Sequence, residues 1–184
     1  MTKNRTFSVT VRTLPCSCGG MLRPAKMKGK YDATAELGIK SEITGAWLAA
    51  RCDRCGQLAL PGRMLEELSD EAVLQLLKLD RLLSGAESKF LRKAALGIGQ
   101  EELAKRLGIT RVTVARWEGS RSLSAEHDFQ LRGLIGGQLL SASRLGPGRW
   151  KRRRAELVEL VTGVLVAARS DLAPANPPPL RIAA

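Results

Sequence analysis

Histidine is nearly absent from this chain: His127 is the only one in 184 residues. No Ser/His/Asp or Cys/His arrangement can be assembled from the sequence, and no carboxylate pair has an evident catalytic role. A phosphate loop is missing as well. GIGQEELAKRLG carries glycines, but it lacks a Walker lysine and follows a helix. These absences together argue against an enzyme. Long apolar runs are also scarce, since the most apolar stretch, Leu157 to Ala168, is too short to span a bilayer and contains Glu159. The opening residues, MTKNRTFSVTVRTL, lack the apolar core of a secretion signal. The expected setting is therefore the cytoplasm, without membrane contact, where structural disulfides are rare.

Positive charge is what the chain has in excess. The formal net charge is +12, and its distribution says more than its size. Between Ser84 and Arg154 fifteen Lys and Arg face six Asp and Glu, and residues 1–62 carry ten against four. A basic surplus of this kind fits a polyanionic partner whose released counterions drive binding.

Within the more basic stretch, Gln100 to Trp117 reads QEELAKRLGITRVTVARW. Leu103, Leu107, Ile109, Val114 and Trp117 supply apolar positions that hold two short helices together, and Ala104 is small where the second must pass close by. Gly108 sits at the turn between them, and Thr110 is placed to cap the second helix. This is the spacing of a helix-turn-helix. Arg111, Val112, Thr113 and Arg116 are left on the outer face, where a recognition helix running from Arg111 to Glu118 meets base edges. Arg111 and Arg116 suit guanine O6 and N7, and Val112 suits a thymine methyl. Gln100, Thr110, Thr113 and Arg121 are candidates for phosphate contacts that fix register. Trp117 reads as core. The expected complex is a homodimer with its two recognition helices about 34 Å apart on a palindromic double-stranded operator.

Four cysteines form two close pairs, Cys16-Ser17-Cys18-Gly19-Gly20 and Cys52-Asp53-Arg54-Cys55-Gly56. Two such pairs a few dozen residues apart suit one structural Zn²⁺ per subunit, held by four thiolates. A redox-active thiol pair and incidental thiols are the competing readings. A four-sulfur shell leaves no open position for catalytic water. Between the pairs, YDATAEL and ITGAWLAARC read as short strands, the first from the alternation of Tyr31, Ala33, Ala35 and Leu37.

The fold class expected is α+β. A small zinc-bound β-containing module (1–62) is joined by a helix (63–83) to an all-α five-helix domain of the Xre helix-turn-helix type (84–148). A basic segment, a helix and a proline-rich tail follow (149–184). The sequence leaves open whether the joining helix breaks near Ser69-Asp70. Ser84 and Glu87 have capping-box spacing ahead of a helix from about Ala86 to Leu96, with Phe90 and Leu91 inward and Lys89, Arg92 and Lys93 outward. Two further helices, about Ala125 to Ile135 and Gln138 to Leu145, are separated by Gly136-Gly137. The run Arg149 to Arg154 offers phosphate contacts or a solvated helix start, a helix follows from Ala155 to Ala168, and LAPANPPPLRIAA reads as disordered.

A cysteine-pair module followed by a helix and then FLRKAALGIGQEELAKRLGITRVTVARWEGS resembles the MqsA-type antitoxins, which join a zinc finger to an Xre-like helix-turn-helix. The resemblance spans roughly Cys16 to Leu140. It implies that the N-terminal module binds a small ribonuclease toxin, while the C-terminal domain dimerises and represses the shared operon. This chain departs from the pattern in three places. Its first cysteine pair is C-x-C rather than C-x-x-C, Val112 stands where the founding member reads a base with an amide side chain, and the residues after Gly146 have no counterpart in short members. The other function classes are a stand-alone regulator with a structural zinc module and a thiol-based redox sensor that releases DNA on oxidation.

Overall fold

The computed structural model describes residues 13–145, 155, 157–159 and 180–183. The chain divides into two compact units, Met1–Ala72 with Pro179–Ala184, and Val73–Pro178. Among the described residues no helix is long and apolar enough to cross a membrane.

The first unit is built on two small sheets. One has the order β1-β2-β5-β6, from Leu14–Pro15, Met21–Lys28, Ala46–Cys52 and Leu58–Ala59, with all neighbours antiparallel. β2 and β5 pair along their whole length, Leu22 opposite Cys52 and Lys28 opposite Ala46. Side chains alternate between faces along a strand, so Met27, Ala25, Trp47 and Ala49 share one side. Trp47 and Ala49 are buried there, and the Trp47 ring lies 4.9 Å from that of Tyr31. The second sheet joins β3 (Tyr31–Asp32), β4 (Ser41–Thr44) and β7 (Leu180–Ala183).

Two expectations need correcting here. YDATAEL is not one strand: after Asp32 the chain makes a helical turn, α1 (Thr34–Leu37). The Asp32 carboxylate accepts from the Thr34 backbone N–H at 2.9 Å, a local bond that starts the turn and competes with a ladder. Likewise, the tail's last residues are not disordered. Leu180–Ala183 pairs in parallel with Ser41–Thr44, burying Leu180 and Ile182.

Helix α2 (Gly62–Lys78) runs unbroken through Ser69-Asp70, and the boundary between the units falls within it. In the second unit Ser84 caps α3 (Gly85–Leu91) with both bonds of a capping box: its side chain accepts from the Glu87 N–H, and Glu87 accepts from the Ser84 N–H. The expected α-helix to Leu96 instead finishes as a π-helical turn, Arg92–Leu96. α4 (Gln100–Leu107), α5 (Arg111–Gly119) and α6 (Ala125–Leu145) follow.

α6 is one helix, where two were expected. Its glycines cost about 1 kcal/mol each relative to alanine. Against that, Asp128, Leu131, Arg132, Ile135 and Leu139 form a continuous buried stripe at helical spacing. The stripe wins, and the expected five helices merge into fewer. Arg149–Arg154 and most of the expected helix from Ala155 lie outside the described residues, although Ala155 and Leu157–Glu159 are helical and Leu157 is buried.

Arg132 has no exposed surface, and its Nε donates to Asp128 at 2.8 Å. Its remaining donors reach the carbonyls of Leu76, Leu77, Leu79 and Arg81, at and just beyond the end of α2. The last carbonyls of a helix lack partners within it, and one guanidinium here supplies several at once. Asp128 accepts from the Leu83 N–H at 2.9 Å in turn. The result is a mixed α+β chain, a β-rich module followed by a helical region.

Candidate nucleic-acid interface and metal centre

The metal centre starts from two tight turns. Around the first pair, the Cys16 N–H donates to Gly20 and the Gly19 N–H to Cys16. Around the second, the Cys52 N–H donates to Gln57 and the Gly56 N–H to Cys52. Gly19 and Gly56 hold φ of +82° and +74°, which a side chain would strain. The antiparallel β2–β5 pairing then places one turn beside the other, and the Asp53 N–H donates to Met21 at 3.0 Å.

The four Sγ atoms lie within 4.8 Å of one another. Cys16 stands 3.8 Å from Cys55, and Cys18 stands 3.5 Å from Cys52, so each thiol of one pair faces a thiol of the other. A tetrahedral dication with metal–sulfur bonds of about 2.3 Å needs sulfurs about 3.8 Å apart. The two distances between the pairs match this, and the short C-x-C spacing still keeps both of its sulfurs in the same cluster.

The surroundings act in opposite directions on two of the four thiols. Backbone N–H groups of Cys55 and Arg54, working against burial, bring the Cys52 thiol down to about 6, and the Arg54 N–H lies 3.4 Å from its sulfur. At Cys18 the Gly20 backbone favours the thiolate, but the neighbouring thiols of Cys55 and Cys52 together with burial push it up to about 12. Four thiols this close share protons that a cation would displace. Arg23 and Arg51 stand directly opposite each other beside the site, with Arg54 near them. Arg23 pairs with Asp53 at 3.1 Å, and Arg54 donates to the Cys18 carbonyl at 3.0 Å. Four thiolates around a dication would carry a net charge of about −2, which Arg51 and Arg54 are placed to offset while Arg23 serves Asp53.

In the second unit, α4 and α5 pack as a hairpin around Leu103, Ala104, Val114 and Trp117, all buried. Gly108 makes the turn at φ +67°. Thr110 caps α5 by accepting from the Thr113 N–H at 3.1 Å, and the two hydroxyls lie 2.9 Å apart. Trp117 stacks on His127 with ring centroids 4.2 Å apart, and its burial assigns it to the core.

The opposite face of α5 is open. Arg111, Val112 and Arg116 are exposed, as is Arg121 just beyond the helix, and Val112 keeps 59% of its surface. Thr113 is half-buried. Gln100 is also half-buried, and its amide donates to the Glu118 carboxylate at 2.8 Å.

A network absent from the sequence reading fixes that face. Arg92, expected outward, is buried. Its Nε and Nη2 donate to Glu118 at 2.6 and 3.0 Å, and its Nη1 donates to the Ile98 carbonyl at 2.6 Å. Burial alone would raise the Glu118 carboxyl, yet the bonds from Arg92 and Gln100 hold it below its usual range. One carboxylate at the end of α5 thus ties that helix to the π turn and to the start of α4. The i+26 separation of Arg92 and Glu118 leaves no trace in helical periodicity. Gly85 is a second such feature: a Cβ there would fall 2.7 Å from the Glu118 and Ser120 carbonyl oxygens and closer still to that of Trp117.

The helix-turn-helix family matches residues 89–127. No curated protein and no solved structure matches the chain. Residues 89–127 form a helix-turn-helix domain of the Xre type, the mark of a DNA-binding transcriptional regulator that engages double-stranded DNA.

Proposed function

We propose that the protein is a non-enzymatic repressor that binds a palindromic operator as a homodimer, with α5 entering the major groove of each half-site. The observation that carries this reading is the two-sided character of α5. Val114 and Trp117 are sealed into the core, while Arg111, Val112 and Arg116 stand exposed, with no ion pair to either arginine among the described residues. Arg111 and Arg116 donate to guanine edges, Val112 meets a thymine methyl, and Gln100, Thr110, Thr113 and Arg121 hold the backbone. Gln100 keeps a second amide hydrogen for a phosphate while Glu118 holds the first.

The four-cysteine centre holds Zn²⁺ as a structural ion. All-sulfur, closed, tetrahedral coordination suits that metal, and its binding energy compensates for a module with little core. The order of modules, shared with the MqsA-type antitoxins, supports a second role: the N-terminal module sequesters a small ribonuclease-type toxin, and the helix-turn-helix represses the operon encoding both.

Selection of bound duplexes from a random pool tests the repressor reading. Enrichment of two inverted half-sites about 34 Å apart supports it, and recovery of unrelated sequences refutes it. Co-purification with the product of a neighbouring small reading frame tests the toxin role, and a neighbour that neither binds nor is toxic refutes it.

A further inference from the structure

The edge of β4 is filled by a strand that arrives from the far end of the sequence. Ser41, Glu42, Ile43 and Thr44 pair with Leu180, Arg181, Ile182 and Ala183, and the Leu180 N–H also donates to Lys40 at 2.9 Å. Pro177, Pro178 and Pro179 precede Leu180. Proline has no N–H to donate, so Leu180 is the first residue after this run able to donate in a ladder. Leu180 and Ile182 bury their side chains on the side of Ser41 and Ile43, all nearly inaccessible to water. Arg181 lies on the other side, exposed and directly opposite half-buried Glu42. On its other flank, among the described residues, β4 has only the two residues of β3. Without β7 this sheet would be a short ribbon with an open edge, the form that invites pairing with another chain.

Ser41 and its partner Leu180 stand 139 positions apart, so nothing local compels the strand to come from the same chain. We infer that the β4 edge is a strand-docking site whose occupant can be Leu180–Ala183 of a second copy, making an arm-exchanged pair. This deepens, and rests on, the two-copy reading given above. Every contact made within one chain is remade between two, so exchange costs little beyond association itself. The recognition code is short: two apolar residues two apart, with a basic residue between them facing Glu42.

The Glu42–Arg181 pair allows a test that leaves the buried side chains untouched. Like charges directly opposite destabilise a strand pair. Full-length, metal-loaded Glu42→Arg and Arg181→Glu chains each carry such a clash with themselves, but each complements the other. Light scattering and tag-based capture are made on each variant alone and on the mixture. Expected is a heteropair in the mixture, stronger by about tenfold than either self-association. Ile182→Asp placed on both chains abolishes the heteropair. A mixture no more associated than its components overturns the inference. So does a pair whose strength ignores Ile182→Asp, although that result leaves two-fold operator recognition standing. Failure of the operator selection with the heteropair intact would count against the DNA reading alone and support the exchange.

Discussion

Removing the Glu118 carboxylate isolates the device that holds the recognition helix in place. In the native fold the Arg92 and Glu118 side chains retain only 6% and 5% exposure and meet at 2.6 Å. Glu118→Ala leaves the guanidinium buried with one remaining acceptor, the Ile98 carbonyl. Breaking a buried pair by deleting one partner costs about 3–5 kcal/mol, a large share of the roughly 5–15 kcal/mol that stabilises a domain. At about 4–8 °C per kcal/mol for a domain of this size, the helical melting transition falls by about 12 °C or more. Arg92→Ala costs less, because Gln100 still serves Glu118. Arg92→Met with Glu118→Leu removes both charges and recovers most of the loss, since apolar replacement of a buried pair is often neutral. Thermal and denaturant unfolding of the wild type, Arg92→Met, Glu118→Leu and their double variant, followed by far-UV circular dichroism, closes the cycle, with Glu118→Ala measured beside them. A Glu118→Ala cost under about 0.5 kcal/mol, or a double variant equal to the sum of the singles, refutes the reasoning.

Gly85→Ala forces a methyl against three backbone carbonyls at the end of α5, which cannot rotate away. A loss of about 1–3 kcal/mol in denaturant unfolding is expected, and an unchanged midpoint contradicts the close approach. Burial raises the Glu87 carboxyl, but Arg81 and Ser84 more than offset it, so its folded value lies below the ordinary 4.5. Its contribution is therefore fully present above that pH and disappears as pH falls through the folded value. Glu87→Gln should flatten the acid limb of the stability profile, and a limb of unchanged slope would discount this group. Cys18→Ser should reduce bound metal below one per chain by elemental analysis and give the spectrum of chelator-treated wild type; full metal retention would exclude Cys18 as a ligand.

Sequence carried the helix-turn-helix almost intact, because its parts are local. Gly108, Thr110 and the apolar spacing around Leu103 and Val114 act within a few residues of themselves, and each took its expected place. The capping box at Ser84 and Glu87 was legible for the same reason. The four cysteines were legible through chemistry, since thiolate pairs announce a shared site whatever fold brings them together. Long-range pairings were not legible. α-Helical spacing puts Arg92 on the outward face beside Lys89 and Lys93, yet the chain widens into a π turn there and Glu118 waits 26 residues on. The Asp128–Arg132 spacing offered a hint, an i, i+4 ion pair between Leu131 and Ile135, but the carbonyls it reaches lie more than 50 positions earlier. At Gly136-Gly137 a local breaker signal lost to a buried stripe. The alternation in YDATAEL lost to a single Asp32 bond, and a proline-rich composition hid four residues that form a strand.

The central claim is that the exposed face of α5 reads duplex DNA, and fluorescence anisotropy on the selected operator at several salt concentrations tests it most directly. Arg116→Ala is predicted to lose about 1–3 kcal/mol of affinity and to relax preference at one base pair, whereas Arg121→Ala weakens all sequences alike and reduces the salt slope by about one. Unchanged operator affinity and selectivity in Arg116→Ala would contradict the claim.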